Sequence, residues 1–272
     1  MALIDFIDSD ARKTLFPLDG PALVVRHGET ELRDYIDTAI FGQEVQRFVP
    51  APISFALKDD KHTRRVHLLD PLATLYLYDF VYQHSRLLRP PAKQSIRRRY
   101  GYHMVGKDPL NASEEHQDFR LRITRLKKEY KYFCKLDISN CFSNFYHHDI
   151  VSALVDYVGG ESSRHFGIFL RQINGGRSIS CFPQGYFASK ALGNWFMHFI
   201  EDNASLKSAA IIRFVDDVFM FSDVRSRLES DFYAIQTLLS ERNLYLNASK
   251  SLIGDTRSSM LLPRTDQIKK SC

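Results

Sequence analysis

At 272 residues, 44% hydrophobic and 25% charged, the chain carries ample apolar material for a core. That excludes disorder over most of its length, and at roughly 150 residues per domain it suggests about two domains. Lys and Arg outnumber Asp and Glu by 37 to 32, and the excess is local: residues 58–131 hold 17 basic and 9 acidic side chains, a net of +8, against 20 and 23 elsewhere. A basic segment beside a slightly acidic remainder points toward a polyanionic partner for the first part.

In chain order, the opening stretch holds Asp5, Asp8 and Asp10 with no apolar h-region after them, so no secretory leader is expected. Leu32, Ile36 and Ile40 at four-residue spacing predict an amphipathic helix ending near Gly42. Pro50 and Pro52 precede a short strand, Ile53 to Leu57; the polar residues 58–63 read as a hairpin tip and Arg64 to Leu69 as the returning strand. Pro71 to about Leu88 suits a helix, closed by Pro90 and Pro91. Arg97 to His103 reads as a basic, aromatic, irregular stretch, followed by a charge-rich helix from about Ser113 to Glu129. Tyr130 to Ile138 is aromatic and apolar, a buried strand. His147 to Val158 and Ser162 to Ile173 read as helices stopped by glycine pairs, and Gly185 to Ile200 as a long apolar-faced helix. Ala209 to Val215 and Val218 to Ser222 are short strands joined at Asp216 and Asp217, followed by a helix from Ser226 to Glu241 and a last strand from Leu244 to Leu246. Antiparallel strands around acidic residues with helices on one face describe an α+β layer fold.

Other classes are excluded by what the chain lacks. No apolar run approaches the roughly 18 residues needed to cross a bilayer. Cys134, Cys141, Cys181 and Cys272 form no C-x-x-C, so neither a disulfide scaffold nor a zinc ribbon is expected. A reducing cytoplasm is the expected compartment, with the first three as buried free thiols. His147 and His148 are adjacent, point in different directions and are given no catalytic role.

The chemistry-bearing pattern is the run Ile211 to Phe221, which sets Asp216 and Asp217 among apolar strand residues. Carboxylates are tolerated there when exposed at a turn or neutralised by a cation. A lone Asp-Asp reads as a chain reversal, but Asp137 stands at the end of another apolar strand, and neighbouring strands would bring Asp137 and Asp216 to one point. A few hard oxygen ligands suit Mg²⁺, which takes the rest of its shell from water and phosphate. Two such ions about 4 Å apart can activate a 3′-hydroxyl and stabilise leaving pyrophosphate, which is nucleotidyl transfer.

These residues resemble the motifs of a reverse transcriptase. Asp137 followed five residues later by Phe142 resembles the family's first palm motif, and Phe182 to Ser189 its Pro-Gln-Gly-x-x-x-Ser motif. Phe214 to Asp217 is a variant of the aromatic-x-Asp-Asp box, Leu244 to Lys250 resembles Leu-x-x-Asn-x-x-Lys, and Lys58 to Leu68 resembles the fingers hairpin. Five motifs stand in family order. Phe214 replaces the usual Tyr, and Tyr186 and Lys190 depart from the small residue and Pro favoured in intron-type enzymes. The nearest resemblance is to small bacterial reverse transcriptases of retron, abortive-infection or phage-defence type.

The resemblance implies a right-hand polymerase: an N-terminal extension over 1–49, fingers over 50–130 and palm over 131–272, with a fingers contribution near 160–180. The chain ends about twenty residues after Lys250, so no full thumb is expected. It implies Asp137, Asp216 and Asp217 as catalytic carboxylates holding two Mg²⁺ ions, or Mn²⁺, with the backbone carbonyl of Ile138 as a further donor. Phe142 would lie under the sugar and exclude a 2′-hydroxyl. Gln184 and Gly185, opening the helix after Pro183, would approach the nucleotide, and that helix N-terminus would favour a negative ligand. Lys58, Arg64 and Arg65 would neutralise triphosphate, and Lys250 would protonate pyrophosphate. Arg97, Arg98, Arg99 and Tyr100 suit RNA, with a solvated loop as the alternative. Expected partners are dNTPs, an RNA template, a structured non-coding RNA, the DNA product, and further subunits or copies; no membrane is expected. The alternatives are untemplated, protein-primed DNA synthesis and a non-catalytic, RNA-binding polymerase-like subunit.

Overall fold

Three strands with apolar residues on both faces build the centre of the molecule. The computed structural model describes residues 1–13, 19–43, 45–57, 63–177 and 182–257. The chain opens with α1 (Leu3–Ala11) and α2 (Asp19–Tyr35), which bends at Gly28 and runs into a π-helical turn, Ile36–Gly42. The hairpin β1 (Ile53–Leu57) and β2 (Thr63–His67) follows, antiparallel, with Ala56 opposite Arg64 and Phe55 opposite Arg65. Helix α3 (Pro71–Gln83) starts where Asp70 accepts a 2.8 Å hydrogen bond from the Ala73 N–H and Pro71 takes the first helical position.

Next come β3 (Arg97–Tyr100), the short pair β4 (Met104–Val105) and β5 (Asp108–Pro109), and α4 (Ala112–Glu129). Asn111 caps α4, Glu114 and Glu115 occupy its first turn and Lys127 and Lys128 its last, the arrangement a helix dipole favours. Then come β6 (Tyr132–Ser139), α5 (Cys141–Asn144), α6 (His147–Val158), α7 (Gly160–Ile173) and α8 (Phe187–Phe196). The chain closes with β7 (Ala210–Phe214), β8 (Asp217–Ser222), α9 (Arg225–Ser240), β9 (Tyr245–Leu246) and β10 (Leu252–Asp255). Among the described residues, no helix is long and apolar enough to cross a membrane.

The main sheet runs β10-β6-β8-β7-β3, with β9 also paired to β6. Successive side chains face opposite sides. Phe133, Ala210, Ile212, Phe219 and Phe221 face one way, where Phe119, Ile123 and Leu126 of α4 cover them. Cys134, Leu136, Ile138, Ile211, Val218 and Met220 face the other, packed in a core with α8 and with Leu228, Ile235 and Leu239 of α9.

Three sequence expectations change here. Helices cover both faces of the sheet, not one, because strands with two apolar faces must be buried on both. The stretch from Arg97 is not irregular: it is strand β3, parallel to β7, which makes the sheet mixed. Residues 97–129, expected in the fingers, supply the edge strand of this sheet and the helix that covers it.

Candidate active site

Strand register brings the three carboxylates to one end of the sheet. Asp137 of β6 lies directly opposite Asp217 of β8, and the Ile138 N–H donates to the Asp216 carbonyl at 3.0 Å. Asp137 and Asp217 share the sheet face of Phe133 and Phe219, and all three carboxylates are half-buried. Lys135, two residues before Asp137, places its ammonium 3.9 Å from Asp217. The backbone of Asp137 is clamped by the segment after β9: its N–H donates to Ser251 Oγ at 3.2 Å, and its carbonyl accepts from the Asn247 N–H at 2.7 Å. Buried Cys141 lies behind the site. Burial, then the Asp216 carboxylate, pushes its thiol well above the usual range, so it stays protonated and is no nucleophile.

The turn that carries Asp216 is strained. Val215, buried and β-branched, sits at φ 53°, a conformation that costs such a residue about 1–3 kcal/mol. Its carbonyl accepts a 2.9 Å hydrogen bond from Arg213 Nη1. Arg213 is fully buried and spends its remaining donors on the Glu201 carboxylate and on the Asn194 side chain and carbonyl.

Around this centre the nucleotide candidates take fixed places. Phe142 of α5 is half-buried, edge-on to Phe145 at 5.7 Å, and packs on α8 at Gly193, where an added Cβ would lie 2.6 Å from its ring. Gln184 and Gly185 form a turn before α8 instead of opening it, because Gly185 adopts φ 116° and its Cα faces Val66 so closely that a Cβ would stand 3.1 Å away. Gln184 donates from its amide to Ser143 Oγ at 2.9 Å and from its backbone N–H to His67 Nδ1 at 3.2 Å. His67 N–H returns a bond to the Gln184 carbonyl, and Tyr186 OH bridges the His67 carbonyl and the Leu69 N–H. Burial, reinforced by Arg65, lowers the His67 pKa to about 4, so the ring is neutral and Nδ1 can accept. The anion expected at the start of α8 is one of the chain's own: Asp10 of α1 accepts the Phe187 N–H at 2.8 Å and the Tyr78 hydroxyl.

Lys58 and the Arg64 side chain lie outside the described residues. Arg65 is half-buried, and its Nε has no hydrogen-bond partner among the described residues. Lys250 is exposed on the turn after Asn247. Cys134 and Cys141 are buried free thiols; Cys181 lies outside the described residues.

The side chains of residues 97–100, expected at RNA, make contacts within the fold, and Arg97 and Arg99 stay partly exposed. Arg97 donates to the carbonyls of Glu201, Asn203 and Leu206, Arg98 is buried with its guanidinium 4.4 Å from the Tyr100 ring, and Tyr100 is itself buried. Arg99 donates to the Arg89 carbonyl at 3.4 Å. Exposed cations of the basic segment stand at Arg86, Arg89 and Lys93 ahead of β3, at Arg120, Arg125 and Lys128 on α4, and at Lys131. Sequence reasoning missed Ser251, Arg213, Asn194, Glu201, His67 and Asp10. A charged Arg213 and Glu201 flanking apolar runs was the one legible signal, since such charges are buried only when paired.

Among the described residues, no three His, Cys, Asp or Glu side chains form a ready metal cluster. The donor set still fits Mg²⁺, which binds one or two carboxylates and completes its shell with water and substrate phosphate. Asp137 and Asp216 supply hard oxygens at adjoining strand ends, and Lys135 offsets the charge of Asp217.

The family model described as reverse transcriptase (RNA-dependent DNA polymerase) matches residues 85–262. No curated protein matches the chain by sequence. Among solved structures, apo telomerase from Candida tropicalis is similar, with a TM-score of 0.51 and 12% sequence identity over 76% of this chain and 44% of that one. The chain thus spans less than half of that telomerase's length, and at this identity the likeness is one of fold: an α+β palm with fingers.

Proposed function

The chain belongs to the reverse transcriptase family, and from that premise we propose that it synthesises DNA from deoxynucleoside triphosphates on an RNA template, using Asp137, Asp216 and Asp217 to hold two Mg²⁺ ions. The observation that carries this reading is the pairing of Asp137 with Asp217 beside the Asp216 turn, with the Asp216 carbonyl bonded to Ile138 N–H. When bound, the ions supply activation of a 3′-hydroxyl and neutralisation of pyrophosphate charge; Mn²⁺ can take their place.

The protein's own groups do the rest. Asp137 and Asp216 present oxygens from backbones that cannot swing, the Ile138 carbonyl is a further donor at the same strand end, and Asp217 stands by with Lys135. Phe142 fills the space beneath the sugar, and the Gln184–Gly185 turn lies against the fingers strand β2 through His67. Lys58, Arg64 and Arg65 would neutralise the triphosphate's charge, and Lys250 would donate a proton to pyrophosphate. An RNA of defined structure and further subunits add grip on the duplex, and the motif resemblance favours a bacterial phage-defence setting.

Primer extension with each dNTP, on RNA, on DNA and without template, tests the reading, with Asp216→Ala as control. Template-directed products on RNA that vanish in the variant are expected. Product sequence independent of any template would replace templated by protein-primed synthesis, and no incorporation under any condition would leave a binding subunit.

A further inference from the structure

The buried guanidinium behind the catalytic turn has no role in binding metal or nucleotide, yet its geometry converges on Asp216. Arg213 is 0% exposed, and all five of its N–H donors are engaged. Nε and Nη2 pair with the two carboxylate oxygens of Glu201, the latter at 3.2 Å. Nη1 donates to Asn194 Oδ1 and to the Val215 carbonyl, and Nη2 also to the Asn194 carbonyl, each at 2.9 Å. Asn194 in turn donates to the Tyr100 carbonyl at 3.1 Å, and Gly101 leaves room for Val215, where a Cβ would stand 3.4 Å from Cγ2.

The Val215 carbonyl belongs to the peptide that leads into Asp216, and peptides are planar. Fixing that oxygen fixes the plane from which the Asp216 side chain departs. The next peptide is fixed from the other side, by Ile138 N–H on the Asp216 carbonyl. Val215 at φ 53° would relax toward ordinary backbone if released. A lysine could keep the charge but not five directed bonds.

We propose that Arg213 is the positioning residue of the reaction: by holding the Val215–Asp216 peptide in its strained orientation, it sets the Asp216 carboxylate for the divalent ion. This rests on the reading of Asp216 as a metal-holding carboxylate. The rival role is structural, a buried ion pair that stabilises the fold without shaping the turn.

Four variants separate these roles: Arg213→Lys, the double variant Arg213→Met with Glu201→Leu, and each of these with Val215→Asn added. The double variant removes both buried charges together, which such sites tolerate. Turnover is expected to fall at least tenfold in both, with the KM for dNTP within twofold of wild type. Asn accepts left-handed backbone, so Val215→Asn is expected to restore at least threefold of the lost turnover. Mn²⁺ binding to the nucleotide-free protein, read by electron paramagnetic resonance, is expected to weaken at least threefold in both variants. A buried α9 variant, Leu239→Ala, controls for lost stability and is expected to bind Mn²⁺ as wild type does. Wild-type turnover and Mn²⁺ affinity in either folded variant would overturn the proposal, and should the double variant fail to fold, Arg213→Lys decides. If Asp216→Ala binds Mn²⁺ as tightly as wild type, it is the underlying reading of Asp216 that fails.

Discussion

Asp137 and Asp216 are placed by main-chain contacts, so their side chains can be removed without dismantling what holds them. Ser251 and Asn247 grip the Asp137 peptide groups, and Ile138 grips the Asp216 carbonyl. Asp137→Ala and Asp216→Ala should each lower nucleotide incorporation by at least about 100-fold, as expected when charge stabilisation at the reacting phosphate is lost. Melting temperature should stay level or rise, because crowded carboxylates repel one another. Residual activity above a few per cent in a steady-state assay would move the site elsewhere. Phe142 makes a second test at this scale. Its ring rests on Gly193 with no space for a Cβ between them, so its position is set by α8 and not by the three carboxylates. Phe142→Ala should therefore relax discrimination between rATP and dATP in matched incorporation assays and leave divalent-ion dependence unchanged. Unaltered discrimination would assign the ring to the core it already borders.

At the scale of elements, the tie between β2 and the turn before α8 is a titratable one. His67 accepts the Gln184 N–H only while neutral, and its pKa lies near 4 in the fold against 6.5 in an open chain. Above pH 6.5 both states are neutral and stability does not change. Between 6.5 and 4 the unfolded chain takes up a proton that the folded chain refuses, so stability falls with falling pH, by at most roughly 3 kcal/mol. Thermal unfolding of wild type and His67→Asn across that window should show a shallower acid slope in the variant, whose amide oxygen accepts without titrating. Parallel slopes would acquit His67. The contact of α1 with α8 makes a neutral-pH counterpart: Asp10→Ala should cost about 1–3 kcal/mol, since the Phe187 N–H and the Tyr78 hydroxyl lose their acceptor. These same elements mark how far the sequence could be read. Strands around Asp137 and Asp216 were legible because apolar runs ending in carboxylates leave few alternatives. Strand β3 was not, because Arg97, Arg98 and Arg99 look solvated until the carbonyls of 201–206 and the Tyr100 ring are known to receive them. Asp10 reaches a partner 177 residues away, a separation over which no local pattern carries information.

Across the whole molecule, one core ties these pieces into a single cooperative object. The same apolar cluster contains Phe6 of α1, Val25 of α2, Leu75 and Leu77 of α3, Leu136 of β6, Phe166 of α7, Leu192 of α8 and Leu239 of α9. The N-terminal helices are therefore part of the interior and not an appendage, although the sequence marked them only as an extension without chemistry. Phe6 shows the consequence. It is 1% exposed and meets Tyr78 edge-on at 5.1 Å and Phe187, the first residue of α8, at 5.4 Å. Truncating such a ring leaves a cavity that surrounding helices fill only in part, a loss of about 3–5 kcal/mol. Because the cluster is shared, that loss should appear everywhere at once. In Phe6→Ala, denaturant unfolding followed by Trp195 fluorescence, which reports on α8, and by far-ultraviolet circular dichroism, which reports on all helices, should shift to the same lower midpoint with one transition each. A variant in which the helical signal shifts while Trp195 keeps the wild-type midpoint would mean that α1 and α2 fray as a separate unit, and the N-terminal helices would then have no hold on the helix beside the strands that carry Asp137 and Asp217.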